Sequence, residues 1–564
     1  MKQRNIVKTI SITICIMLFF SLLSCSRENN NETDNTANGY NDILYETQNE
    51  VEIESEPVSY IIIQGERFCV ESTELDLRGR LTNQDIVRLE GFTNLTKLRF
   101  WSDQATDIRP LGNLTNLTEL HMSVFRVTDI TTLENLTYLT ELFMYIPQVN
   151  DITPLANLNS LVRLSINAPE VEDITPLFGL TSLEYLVLGH IYIDDISQLS
   201  KFENLMELTL WSSQIKDISS IVELENLATL NLYVRANDLT PLSELENLSN
   251  LRLWDSWEVP IPFSDLANLT NLTHLSLWGS EMDLTPLSYL INLTNLELWS
   301  SDLHDIAPLA SLTNLTSLSL SCNYYGTQIS DITPLSNLVN LTYLNLIGWE
   351  IQDITPLSGL TNLETLNLVS WYIEDITALS SLTNLTSLSL RRGKISDLAP
   401  LSSLVNLKLL DLSDNQIQEI NALASLTNLV SVNLFGNPFT NLAPLASLDN
   451  LANLQLGFNE VDDLTPLSNL INLTTLIIIY TQVRDITPLA NLTNVTELTI
   501  ARSKVDDISA LSNLTNLERL SLWENNISDI TPISGLINLT SLDLSRNPQI
   551  IDWSPAEHIQ SVQR

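Results

Sequence analysis

Glycine is scarce in this chain, with 15 residues in 564, cysteine and histidine are scarcer still, and positive charge is low for its length. So few glycines leave no Gly-rich loop whose backbone amides could cradle a phosphate. The five histidines, His121, His190, His274, His304 and His558, are scattered, and none belongs to an H-E-x-x-H pair. No metal site, cofactor or catalytic constellation is therefore expected, and the chain does not read as an enzyme. Of the four cysteines, Cys15 and Cys25 lie in the N-terminal segment, while Cys69 and Cys322 are far apart, so no disulfide framework is expected. Lysine and arginine number 27 against 68 aspartates and glutamates, a net charge of −41. A chain this acidic repels nucleic acid and anionic lipid surfaces, which excludes nucleic acid as an expected partner.

Long apolar runs are missing too, except at the start. Lys2, Arg4 and Lys8 precede an uncharged stretch from Thr9 to Ser26 that contains Leu22-Leu23-Ser24-Cys25. This ending resembles a bacterial lipobox. The resemblance implies cleavage before Cys25, acylation of that cysteine and residence on the outer face of a bacterial cell membrane. An uncleaved anchor and a plain secretory signal are the alternatives, although 18 uncharged residues barely span a bilayer. Residues 1–24 then form the signal peptide and 25–57 an acidic tether too poor in apolar residues to fold.

What the chain has in abundance is repetition. Leu117-Thr-Glu-Leu120-His-Met122 runs into Val127-Thr-Asp129-Ile130, and Leu139-Thr-Glu-Leu142-Phe-Met144 into Val149-Asn-Asp151-Ile152, 22 residues later. Twenty-one copies place their second leucine from Leu98 to Leu542, with Val432 the one exception, and Leu75-Asp-Leu77 is a half-copy before them. An L-x-x-L-x-L core at this period is the signature of a leucine-rich repeat, in which no unit can bury its apolar face alone. The expected fold is an α/β solenoid, a right-handed superhelix with a concave parallel β-sheet and short helices or 3-10 turns on the convex side. L-x-L gives strands with both leucines inward, spaced about 4.8 Å apart, hence an arc of roughly 100 Å. Thr153-Pro154, Thr175-Pro176 and Thr355-Pro356 place a good N-cap residue before each proline. The aspartate before them, as at Asp129, Asp151 and Asp353, is expected to accept a backbone N–H two residues on; a column of carboxylates spaced evenly does not converge on a metal. Residues 58–97 read as an N-terminal cap with a hairpin turning at Gly65, 98–552 as the solenoid, and 553–564 as a C-terminal cap. A monomer is expected. The many Asn-Leu-Thr triplets match the N-glycosylation sequon but read better as repeat consensus.

The phrase L-T-N-L-x-x-L-x-L…I-x-D-I-T-P-L closely resembles the repeat of internalin-type proteins of Gram-positive bacteria, over about residues 75–552. That resemblance implies a curved recognition surface without enzymatic activity. The family's asparagine at the turn after the strand stands here only at 323, 415, 437, 459, 525 and 547; Asp103, Pro147, Ser213 and Trp371 are among its replacements. What the family's adhesins do through host cadherins does not carry over.

The position after L-x-L faces the concave surface, and five consecutive repeats fill it with Trp211, Tyr233, Trp254, Trp278 and Trp299. Trp101, Tyr145, Phe435 and Trp523 hold the same position elsewhere, and Trp523 is expected to stand apart from the ribbon. A run of rings is either a binding strip or a stack that stabilises the ladder. Beside it the period breaks: Trp257-Glu-Val-Pro-Ile-Pro-Phe263 replaces a turn, and a second insertion carries Tyr324 and Tyr325. Insertions of this kind map to loops that often bind. The ligand-binding candidates are therefore Trp211, Tyr233, Trp254, Trp257, Trp278, Trp299, Tyr324 and Tyr325, and the lipidation candidate is Cys25. The expected function is a cell-surface receptor or adhesin for a protein ligand, with a glycan or cell-wall polysaccharide as the alternative.

Overall fold

The computed structural model describes residues 59–564 apart from 237, 255–262, 323–328 and 349, with the backbone alone at 280–281 and 301–302. Alternation of apolar and polar residues makes the strands. In Glu141-Leu142-Phe143-Met144-Tyr145, Leu142 and Met144 are buried while the other three face outward and are only partly covered. Twenty-three such strands, from Glu74–Arg80 to Ser561–Gln563, pair in sequence order, each parallel to the next. Register is constant: Leu142 lies opposite Leu164, Leu164 opposite Leu186 and Leu186 opposite Leu208. The first strand pairs with Lys97–Ser102 and the last with Ser541–Asp543, so the ladder is open at both ends among the described residues. Full burial of each inward leucine contributes about 1.5–3 kcal/mol, and one continuous apolar core runs the length of the stack.

The repeat consensus also ties neighbours together with hydrogen bonds. The carbonyl of Thr118 accepts from the backbone N–H of Thr140 (2.8 Å), from that of Glu141 (3.1 Å) and from the Thr140 hydroxyl (3.1 Å). Two residues before Thr118, the Asn116 amide donates to the Thr93 carbonyl (2.8 Å), and the same bond recurs at Asn204, Asn226, Asn384, Asn494 and Asn538. Asn116, Asn384 and Asn538 open Asn-Leu-Thr triplets. The amides and hydroxyls of these triplets hold the stack, which is the structural role the repeat consensus requires.

On the far side of the core each repeat turns through a 3-10 segment of three to five residues, such as Thr153–Leu155 and Thr175–Gly179. Only Asn83–Arg88 and Phe263–Leu266 are α-helical among the described residues. The aspartates behave as expected: the carboxylates of Asp129, Asp151 and Asp353 each accept the backbone N–H two residues later, at 2.8 Å. The threonines do not. Ile152, Ile174 and Ile354 occupy the N-cap, threonine is the first residue of the segment, and proline is the second. The reason is local: the N–H groups of Leu155, Leu177 and Leu357, which a threonine cap would serve, already bond to the carbonyls of Ile152, Ile174 and Ile354. These hydrogen bonds hold the aspartate carboxyls below their ordinary pKa, the bond to the threonine side chain contributing most at Asp129, Asp151 and Asp353.

At the N-terminal end, Tyr60–Ile63 and Glu66–Cys69 form an antiparallel hairpin whose turn, Gln64-Gly65, lies at positive φ. Gly65 relieves the steric cost there. At the other end the tail is not irregular: Ser561–Gln563 adds a last parallel strand, and Arg564 sits 4.9 Å over the Trp553 ring.

Candidate functional site

Three side chains per strand point away from the core, so successive strands lay down three columns of residues across the sheet. The third column holds the aromatic residues. Trp211 lies opposite Tyr233, Trp254 opposite Trp278, and Trp278 opposite Trp299. The His190 and Trp211 rings are 4.1 Å apart, Trp211 and Tyr233 5.1 Å, Tyr233 and Trp254 6.5 Å, and Trp254 and Trp278 4.8 Å with planes only 12° apart. These rings cover one another and are half-buried. Trp299, at the end of the run, is 48% exposed. Burial pushes the His190 imidazole down to about 4, so it is neutral against Trp211 at neutral pH. The strands that carry Trp278 and Trp299, His274–Glu281 and Asn295–Asp302, run to eight residues where most others have five. Trp257, Tyr324, Tyr325 and Cys25 lie outside the described residues.

Beside the last tryptophans the sheet is hollow. Small residues at the first and second outward positions, Ser276, Ser317 and Ser319, leave a depression of about 290 Å³. Arg252, His274, Glu297 and Tyr343 rise around it. The Ser276 hydroxyl donates to Glu297 (3.4 Å), and Asn345 donates to the Ser319 hydroxyl (3.0 Å). No motif marks this hollow. Its polar residues occupy the two variable positions of x-L-x-L, which follow no period, and the serines there are the one trace it leaves.

A second group of rings escapes the pattern for a different reason. Phe435 and Phe458 are 5.1 Å apart, and Phe458 and Tyr480 stack at 4.3 Å. The Arg502 guanidinium then lies 4.4 Å over Tyr480 and 4.7 Å over Trp523, and Arg546 follows at 5.9 Å from Trp523. Trp523 thus lies between two cations, apart from the ribbon that ends at Trp299. Phe458 and Tyr480 sit one residue past the concave position, in a row of positive-φ residues that recurs with the repeat: Arg392, Asp414, Gly436, Phe458, Tyr480, Arg502, Glu524 and Arg546.

In five of these eight repeats a buried asparagine follows and holds the turn; Gly393, Thr481 and Ser503 follow Arg392, Tyr480 and Arg502. Asn437 is wholly buried; its amide donates to the carbonyls of Leu412 (2.9 Å) and Leu434 (3.1 Å), and its oxygen accepts from the Ile417 N–H (3.1 Å). Asn415, Asn525 and Asn547 make equivalent bonds. Where the asparagine is replaced, a buried serine one residue earlier can tie the same turn by a different bond, the hydroxyls of Ser212 and Ser370 donating to the carbonyls of Ile193 and Ile351, both at 2.8 Å. Among the described residues no group of three or more His, Cys, Asp or Glu side chains is placed to hold a metal ion.

This geometry agrees with what comparison with known proteins finds. A family model described as "Leucine Rich repeats (2 copies)" matches residues 383–425, 405–447 and 515–558. No curated protein matches the chain. Among solved structures, the plant peptide hormone receptor RGFR1 in complex with RGF2 is similar with a TM-score of 0.52 at 17% identity, covering 88% of this chain and 90% of that one. TLR13 in its complex with ssRNA13 is similar with a TM-score of 0.53 at 19% identity, covering 87% and 86%. An internalin, inlF, from Listeria monocytogenes is 27% identical over 72% of this chain and 87% of that one, with a TM-score of 0.30. The fold is that of a leucine-rich-repeat solenoid.

Proposed function

We propose that this protein is a lipid-anchored receptor or adhesin-like molecule of a bacterial cell surface that recognises a protein ligand on its sheet face, around Trp254, Trp278 and Trp299. The observation that carries the reading is Trp299: an indole nearly half exposed, at the end of a column of rings that stack on one another, and in register with the strand beside the hollow. Half-buried rings that stack need no ligand, whereas an open indole beside a concavity is the kind of residue that anchors interfaces. The comparison with RGFR1, whose complex contains the peptide RGF2, supports a polypeptide ligand, and the net charge of −41 weighs against the RNA found with TLR13. Anchoring rests on the basic start and the Leu22-Leu23-Ser24-Cys25 ending of the apolar segment.

Two measurements test this. In quantitative capture of surface-labelled proteins by the 26–564 fragment, Trp299→Ala should weaken the retained ligand at least tenfold without lowering the melting temperature, and Tyr138→Ala, exposed in another repeat, should not. Trp254→Ala plus Trp278→Ala should weaken capture and also lower the melting temperature, because those rings stack. Undiminished capture by Trp299→Ala rejects the reading. Separately, a palmitate analogue should label the wild-type protein in cells and fail to label Cys25→Ala; equal labelling of both overturns the anchor.

A further inference from the structure

We infer that the hollow between Arg252 and Tyr343 is a subsite for one neutral sugar ring. It rests on the sheet face being the binding surface, and it adds a ligand class at a place no aromatic pattern marks. Size is the first consideration. A depression of about 290 Å³ has room for one ring and no folded segment. It exists because Ser276 on one side, and Ser317 and Ser319 on the other, flank the strand that carries Asn295 and Glu297 with small side chains. Register brings them together: Ser276 is opposite Glu297, Glu297 opposite Ser319, and Asn295 opposite Ser317.

Chemistry narrows the occupant. Serine hydroxyls donate and accept, the neighbouring amides of Asn250 and Asn295 do both, Glu297 accepts and Arg252 donates. The walls carry one cation and one anion, so an ionic ligand of either sign gains an attraction and meets a repulsion of similar reach. An apolar ligand would strip water from these polar groups without replacing the hydrogen bonds that water makes, at a cost for each. A polyhydroxylated neutral ring satisfies both kinds of partner. Its C–H faces have a place as well: the adjacent column of the same strands is Trp254, Trp278 and Trp299, and Tyr343 stands on the opposite side of the hollow, exposed. Polar groups that fix orientation, next to an aromatic surface, are how small polar ligands are held. The sugar can be a residue of a glycan carried by the protein ligand or of a free neutral polysaccharide; the hollow reads the same ring in either.

The probes are the methyl glycosides of glucose, galactose, mannose, N-acetylglucosamine and N-acetylgalactosamine, examined by saturation-transfer NMR with the 26–564 fragment and titrated by calorimetry. At least one should bind the wild type. Ser319→Phe, which fills the hollow, and Glu297→Gln, which removes an anionic acceptor, should each weaken it about tenfold or more, with the melting temperature and the far-ultraviolet spectrum unchanged. Tyr138→Ala should bind as the wild type does. Absence of transfer from all five, or equal binding by both pocket variants, overturns the inference. So does stronger binding of glucose 6-sulfate than of glucose. An N-glycosylated glycoprotein before and after enzymatic deglycosylation, set against a neutral bacterial wall polysaccharide, identifies the source. If no sugar binds while protein capture still depends on Trp299, the hollow alone is misassigned. If sugar binds through Glu297 while capture ignores Trp299, it is the protein-ligand reading that falls.

Discussion

Replacing Asn437 by alanine removes the amide's bonds to the carbonyls of Leu412, Leu434 and Phe435 and one accepted bond from a site with no access to water. The carbonyl of Leu412 and the N–H of Ile417 lose a partner that water cannot replace, so Asn437→Ala should cost about 1–3 kcal/mol in chemical denaturation. Leu388 makes no polar bond through its side chain and is 1% exposed. Leu388→Ala should cost about 2–5 kcal/mol through lost burial and the cavity left behind; a loss below about half a kcal/mol would contradict the packing described. His190 gives a pH signature. Its folded pKa, about 4, lies below the ordinary histidine value, so its contribution is fully present above pH 6.5 or so and is lost as pH falls from there toward 4. The turn aspartates have depressed pKa values, so their contribution persists to lower pH and is lost only as pH falls through those depressed values. Melting followed against pH should show the histidine phase first, and His190→Phe should remove that phase while leaving the later one. Tryptophan fluorescence, sensitive to a cation forming 4.1 Å from Trp211, should change around pH 4, where the folded imidazole takes up its proton, in the wild type alone.

Strands, turns and the rows between them differ in how far their sequence betrays them. The inward leucines and the aspartate turns were legible because each follows two periods at once, alternation within the strand and the 22-residue repeat. The stitch after the strand was legible only where it is asparagine. Its serine form at Ser212 and Ser370 shifts by one residue, and a shift of one breaks the periodic pattern. Threonine misled in the opposite direction, because Thr-Pro suits an N-cap in isolation, and only the carbonyl of the preceding isoleucine, bonded to the leucine N–H after the proline, removes the need for one. The row of Phe458 and Tyr480 is the plainest case. Bulky residues avoid positive φ at a cost on the order of 1–2 kcal/mol per residue, yet Phe458 is 53% exposed there. The buried asparagine one residue later holds the backbone in that shape, and the exposed ring gains its contact from Phe435 and Tyr480 instead. Arg502 is the joint of this row, touching Tyr480, Trp523 and Glu524. Arg502→Ala should cost about 1 kcal/mol from its two ring contacts and exposed ion pair, with a change in Trp523 emission to mark the site of the loss.

For the whole molecule, stability is a sum over neighbours. Every bond between repeats runs to the adjacent unit at nearly the same spacing, and nothing in the ladder reaches across several. Deleting residues 377–398 joins Ile376 to Ala399 in phase, because Ile376 then stands where Leu398 stood. The shortened chain should fold with the same far-ultraviolet spectrum, lose about 4.8 Å of length by scattering, and melt within a few degrees of the parent, whereas deleting half of that segment should abolish cooperative unfolding.

The constant register of Leu142, Leu164, Leu186 and Leu208 has a consequence for inheritance. Tandem near-identical coding segments misalign readily during recombination, and a crossover between misaligned copies adds or drops whole units. In this ladder such a product keeps every leucine facing inward and every carbonyl facing a donor, so a lineage can lengthen or shorten its reach in one event. The breaks in period on either side of the Trp299 strand are the exception: a unit exchanged across them brings the wrong turn length to its new neighbour. The region that carries the proposed site is thereby the part of the array least free to be shuffled, and natural variation in repeat number should fall mainly on the regular stretches before Leu230 and after Leu344.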